Sequence, residues 1–203
     1  MTNQPEHFIL KNKGSLIVLA HPAPHFEEEF NAWYDTEHLP ERMAVPGFEA
    51  ARRYVCVSGR PSYLAVYDME SRDVLESEAY LAVSFDRSSP WTKRVTSRSR
   101  VHRSAGVQIY PGHALTPAAA HTLMLRFGGL ERDAAEVIVA GMRANFETLA
   151  QTVQVRVFAH DADTGTDFIG LVDALGPVGD TIDHRLFGDY AKALDLANLY
   201  APY

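Results

Sequence analysis

The apolar positions of this chain change period several times, and each change marks an element. "SLIVLAH" (Ser15 to His21) is a continuous β-branched run and predicts a buried strand, broken by "PAP". From Phe26 the apolar residues step to Phe30, Trp33 and Tyr34, the stripe of an amphipathic helix. Pro40 and then "VPG" end that helix, because the residue before a proline avoids helical dihedrals. "FEAARRYVCVS" and "SYLAVYDM" read as two strands joined across "GRP". "RDVLESEAYLAVSF" reads as a helix with Val74, Leu75, Ala79, Leu81 and Ala82 on one side, prolonged by "WTKRVTSRSR" after "SSP". "VHRSAGVQIY" is a last strand, so the first half is β-α-β-β-α-β, preceded by a lead-in over residues 1–13.

"PGHALTPAAA" (Pro111 to Ala120) has no periodicity and reads as a linker. The order then begins again. "HTLMLRF" is a strand. "ERDAAEVIVAGMRANFETLA" is a helix with Ala134, Val137, Ile138, Met142 and Leu149 on its apolar side. "VQVRVFAHD" and "TDFIGLVDAL" are strands around "ADTGT", and "IDHRLFGDYAKALDLANLY" is expected to be a helix, with any closing strand confined to the last few residues. The expected units are therefore 1–110 and 121–203. A repeated element order with faint residue similarity is what an old tandem duplication leaves. Each half would form a four-stranded antiparallel sheet with both helices on one face. The bare face must be covered, so the two sheets are expected to stack within one chain, with a homodimer as the further partner.

Composition narrows the function. The chain is 46% apolar and carries a net charge of −7, which provides a core and argues against general nucleic-acid binding. The acidic excess lies after residue 110, where it favours solubility. One cysteine, Cys56, excludes an intramolecular disulfide and a cysteine-zinc cage, and fits a reducing, cytoplasmic setting. "MTNQPEHFIL" lacks a basic n-region and a long apolar h-region, and no apolar run approaches membrane-spanning length, so neither a secretory signal nor a membrane span is expected. No Gly-rich dinucleotide or P-loop fingerprint, G-x-S-x-G or H-E-x-x-H occurs. His21, His25 and His38 with Glu28 do not have a metal-ligand spacing, so no metal is expected.

The chemistry-bearing residues concentrate in "FNAWYDTEHLPERMAVPGFEAARRY" (Phe30 to Tyr54). His38 follows Tyr34 by four residues, so the two are helix neighbours. A histidine of near-neutral pKa can exchange protons, with the phenol assisting; the same residue can instead cap the negative end of the helix dipole. Trp33 reads as core or as an aromatic wall, and Glu37 as an orienting carboxylate or a solvated one. Arg53, among apolar neighbours, needs a carboxylate or an anionic ligand. Tyr63 and Tyr67 share a strand face with Ala65, as cavity phenols or as packing.

Trp33, His38, Pro40, Pro46, Gly47, Arg53 and Tyr54 give this stretch its resemblance to the EthD-like branch of the dimeric α+β barrel proteins. The resemblance implies a tandem ferredoxin-like α+β fold with a cavity between helices and sheet. It also implies a cofactor-independent cyclase, isomerase, lyase or decarboxylase acting on a small aromatic, lactone or polyketide-like compound. His38 and Tyr34 would be catalytic, and Trp33, Glu37, Arg53 and Tyr67 would bind substrate. Other branches bind haem, which would make His21 or His38 an axial ligand, and a non-catalytic binding protein is the third reading. The second-half helix lacks His, Tyr and Trp, so that half is expected to serve as scaffold.

Overall fold

The computed structural model describes residues 12–57, 59–178 and 182–203. The lead-in expected over residues 1–13 lies, but for its last two residues, outside that range. Eight strands form a closed antiparallel barrel: β1 (Gly14–Pro22), β2 (Phe48–Cys56), β3 (Tyr63–Met69), β4 (Ser99–Tyr110), β5 (His121–Leu130), β6 (Thr152–Ala162), β7 (Gly165–Ala174) and β8 (Leu194–Pro202). Their order around the barrel is β1-β3-β2-β8-β5-β7-β6-β4. Two seams join the first four strands to the last four. Tyr54 to Cys56 of β2 pair with Tyr200 to Pro202 of β8, and Gly106 to Tyr110 of β4 pair with Val157 to His160 of β6.

Strand alternation sorts the core into three layers. On β1, Leu16 and Ala20 face the helices of the first half, while Ile17 and Leu19 face the barrel interior. On β3, Tyr63, Ala65, Tyr67 and Met69 face the helices, and Leu64 and Val66 the interior. Both faces of β3 are covered, which is why its sequence reads as a continuous apolar run. A third cluster packs α5 (Ala135–Phe146) on the outer face of β5 and β7.

The interior is not wholly apolar. Arg156 is fully buried; it donates to Asp68 (3.2 Å), Thr116 (2.7 Å) and Asp173 (3.0 Å). Asp68 also accepts from the Thr116 backbone N–H, and Asp173 from the Thr122 hydroxyl. Nearby, His160 is held by Ser15 (2.7 Å) and Ser104 (2.9 Å), one on each ring nitrogen.

Three sequence expectations are corrected. The stretch 182–200 is not a helix. A 3₁₀ segment, His184–Ala193, is interrupted at Gly188 (φ 54°), and β8 then runs for nine residues. The barrel gap between β2 and β5 supplies backbone partners that local helix propensity cannot offset. The helix expected from Arg72 to Phe85 is a 3₁₀ turn (Arg72–Glu76) and one short helix, α3 (Glu78–Leu81), with Val74 and Tyr80 buried. α5 ends at Phe146, so Leu149 lies beyond it and is exposed, as is Val137 on the helix; Gly141 and Phe146 take buried places. A Cβ on Gly141 would stand 2.4 Å from the Phe187 ring, so the close approach of the 3₁₀ segment requires glycine there.

Candidate functional site

The dense stretch folds as α1 (Glu27–Trp33), a π-helical segment (Tyr34–His38) and α2 (Leu39–Met43), in direct succession. The Leu39 N–H bonds the Tyr34 carbonyl, five residues back. Pro40 supplies the cause: it has no N–H for the Thr36 carbonyl, and its ring would strike that carbonyl in a tight helix. The Thr36 hydroxyl bonds the Ala32 carbonyl in the same turn (2.7 Å). In a regular helix Trp33 and His38 would diverge by about 140°. The wide turn closes that angle, and the two rings stack at 4.3 Å and 28°. His38 also meets the Tyr34 ring edge-on, at 5.1 Å.

These rings wall a cavity of about 260 Å³ between the helices and the outer face of β1, β3 and β4. Leu16, Val18, Ala20, Tyr67, Tyr80 and Val101 supply most of the remaining apolar wall, and Ser84, Phe85 and Ser88 edge it. Trp33 is fixed from behind. Its Nε1–H donates to Thr92 (3.0 Å) on α4 (Pro90–Thr96), and the Thr92 hydroxyl donates to Glu37 (3.1 Å). Ser89, the N-cap of α4, also donates to Glu37. Tyr67 donates to Tyr34 through their hydroxyls (2.9 Å), which leaves the Tyr34 proton free to point elsewhere.

Of the residues expected at a site, Trp33, Tyr34, His38 and Tyr67 are brought together on this cavity. Glu37 and Arg53 do not line it. Glu37 ties α4 to the π segment. Arg53 pairs with Asp35 and Asn31 behind Tyr34, its guanidinium over the Tyr34 ring at 4.3 Å and the Tyr203 ring at 4.2 Å. His21 points to the barrel interior and bonds Ser62 (2.7 Å). Arg42 and Ser84 were not read from the sequence. Arg42 stands one helical turn beyond His38, and that i, i+4 spacing was the available signal.

The cavity carries orphaned polar atoms. Arg42 is 5% exposed and Ser84 4%. Arg42 donates one bond to the Val83 carbonyl (2.9 Å), lies over Tyr80 (5.2 Å), and reaches Glu41 only at 3.9 Å. Its Nη1, the Nδ1 of His38 and the Oγ of Ser84 are buried with no hydrogen-bond partner among the described residues. Burial first, then the charges of Arg42 and Arg53, hold the His38 pKa down at about 3. The near-neutral value expected from the sequence is therefore corrected: the imidazole is neutral in these surroundings. Burial raises the pKa of both tyrosines, so each keeps its proton. The matching space in the second half is filled by Ile138, Met142, Phe146 and Phe187.

Among the described residues no group of three or more His, Cys, Asp or Glu could hold a metal ion, and no helix is long and apolar enough to cross a membrane. No protein-family model matches the chain, and no curated protein matches it. Solved structures do. An anthrone oxidase-like protein is 10% identical with a TM-score of 0.68, over 95% of this chain and 92% of that one. A haem-binding protein from Thermus thermophilus is 12% identical (TM-score 0.54; 95% and 92% covered). A mutant chlorite dismutase from Candidatus Nitrospira defluvii, in complex with cyanide, is 9% identical (TM-score 0.54; 94% and 90%). Such neighbours are dimeric α+β barrel proteins, and the chain shares their mixed α+β architecture around an eight-stranded antiparallel barrel.

Proposed function

We propose that the cavity is the active site of an enzyme of the EthD-like type, built from two tandem ferredoxin-like repeats, 1–110 and 121–203, of which the second is scaffold. It moves a proton on a small, mostly apolar aromatic, lactone or polyketide-like compound bearing a carbonyl or phenol, with no added cofactor. One observation carries this reading: His38 Nδ1, Arg42 Nη1 and Ser84 Oγ are buried without partners among the described residues, in side chains that wall a cavity whose other lining is mostly apolar and aromatic on the sheet side, with Arg103 on β4 and Ser88, Thr92, Lys93 and Thr96 along its other walls. Unpaired buried polar groups are costly, and a ligand oxygen that meets them removes the cost.

The chemistry follows from charge. Neutral His38 takes a proton from carbon beside a carbonyl. The C–H electron pair moves into the new C=C bond, and the carbonyl π pair moves onto oxygen, giving an enolate. The Arg42 cation and the Tyr34 O–H meet that oxygen. The low His38 pKa reflects burial and the two arginine charges; negative charge forming on the ligand offsets Arg42 and strengthens the imidazole as a base. Return of the proton from His38 to another carbon completes an isomerisation; alternatively the enolate carbon attacks a second carbonyl of the same compound, that carbonyl's π pair moves onto its oxygen, and protonated His38 gives the oxygen its proton, which closes a ring. Trp33 and Tyr67 hold the flat ligand.

The test follows carbon-bound deuterium in D₂O with a panel of aromatic ketones that includes anthrone. Wild-type protein should accelerate exchange, and His38→Ala should slow it by roughly 10²–10⁴-fold with its melting temperature nearly kept. Equal exchange by the two proteins would remove His38 from the mechanism. Haem fits poorly. The cavity of about 260 Å³ falls below the roughly 300 Å³ at which pockets for drug-sized ligands begin. Both nitrogens of His160 are engaged, and His21 lies outside this cavity, bonded to Ser62. A purely non-catalytic role is less favoured, because Trp33 and Tyr34 wall the cavity rather than fill it.

A further inference from the structure

Strand alternation gives the barrel interior a strong polarity along its axis. Ile17 and Leu19 of β1 face inward within the apolar middle layer, and His21 is next on that face. Across the β1–β4 ladder, Leu19 pairs with His102 and His21 with Arg100. These positions would carry core residues if the barrel closed over them. Instead they open into a depression of about 450 Å³ floored by Leu19 and Leu196 and ringed by His21, Arg60, Arg100, His102 and Arg126. A second depression, of about 430 Å³, shares His21, Arg60 and Arg100 with it and adds Arg98.

No carboxylate among the described residues lines either depression. Arg126 is matched by Asp195 through two bonds, at 2.8 and 3.0 Å. Arg60 and Arg100 have no carboxylate partner among the described residues. In a chain of net charge −7, unmatched cations gathered at one barrel end repel each other unless an anion joins them. Guanidinium groups present paired N–H donors that match phosphoryl and carboxylate oxygens, and several cations around one small space favour more than one negative charge. Mouths of β-barrels are recurrent ligand positions.

We propose that this mouth is a binding site for a compact multivalent oxyanion, a diphosphate-type group, held by Arg60 and Arg100 and flanked by His21 and His102. The site is separate from the His38 cavity and does not depend on its chemistry. Val101 of β4 borders both spaces, so a charged group in the mouth lies one strand away from the His38 cavity.

The test titrates the protein with inorganic pyrophosphate and with ADP at low ionic strength, following the histidine ring protons by NMR. His21 and His102 should shift saturably while His38 stays still. ADP binding tighter than pyrophosphate supports the group as the end of a larger molecule, and equal affinity supports the free anion. Arg60→Gln with Arg100→Gln should weaken binding about a hundredfold, tenfold for each charged contact. Both arginines are exposed and without a carboxylate partner among the described residues, so the melting temperature should not change. Unchanged affinity in the double variant overturns the site. So does the absence of His21 and His102 shifts at millimolar pyrophosphate, or a shift confined to His38.

Discussion

Replacing Arg42 by methionine separates the cost of the site from its use. Arg42 is 5% exposed, and methionine keeps most of its stem volume. The substitution removes the bond to the Val83 carbonyl, about 1.5–3 kcal/mol for a charged donor, and the contact over Tyr80, about 0.5–2 kcal/mol. It also removes the desolvation of a cation whose nearest carboxylate is 3.9 Å away and whose Nη1 is unpaired, a penalty of several kcal/mol. The terms nearly cancel, so stability should hold within about 1 kcal/mol of wild type. Two other readouts should move. Arg42 is the second cause of the low His38 pKa, after burial, so the His38 titration should rise from about 3 yet stay below 6.5. Enolate formation loses its cation, and exchange should fall by about 10²–10³-fold. Urea unfolding, an NMR titration and the deuterium assay measure the three. A loss of about 3 kcal/mol or more, the scale of a broken buried pair, with exchange intact would make Arg42 a structural tie and refute the reasoning.

Acid should weaken the fold early. His38 and His160 each have a folded pKa of about 3 against 6.5, so below pH 6.5 the unfolded chain binds protons that the folded chain refuses. Stability from each is fully present above pH 6.5. It falls by up to about 1.4 kcal/mol per pH unit for each histidine until the pH reaches the folded values; a flat urea-midpoint profile from pH 7 to 4 would contradict this. Trp33→Ala should cost about 3–5 kcal/mol in urea unfolding and free the Thr92–Glu37 link, and a cost below about 1 kcal/mol would mean the indole is not packed as described. Gly106→Ala should destabilise by about 3 kcal/mol, because its Cβ would stand 2.0 Å from the Ala159 carbonyl at the β4–β6 seam; a wild-type melting temperature would show that the seam can open at no cost.

Strands with both faces covered were the most legible part of the sequence. "SLIVLAH" and "SYLAVYDM" are apolar runs because one face meets helices and the other the barrel interior. The last strand was hidden. "LDLANLYAP" has helix-forming composition, and what makes it a strand is the gap between β2 and β5, fixed by residues far away in sequence. The ring cluster of Trp33, Tyr34 and His38 was legible as residues and illegible as geometry. A constant turn of about 100° per residue sets Trp33 and His38 on opposite flanks, and only the wide turn before Pro40 stacks them. Arg42 and Ser84 gave no sequence signal of burial. Glu37 and Arg53 are chemically suited to a ligand, yet their partners, Ser89 and Thr92 for one and Asp35 and Asn31 for the other, come from the fold.

The buried Arg156 network sets how this molecule comes apart. Asp68 belongs to the first four strands, Arg156 and Asp173 to the last four, and Thr116 to the segment between them. Neither set of strands holds a complete charge arrangement, since parting them strands Asp68 away from the cation and the linker donor that hold it in the dry interior. An opening at either seam must therefore propagate through the interior rather than stop at a stable half. The two sets of strands should lose structure in a single all-or-none transition, and a chain cut between residues 116 and 121 should not yield two independently folded pieces.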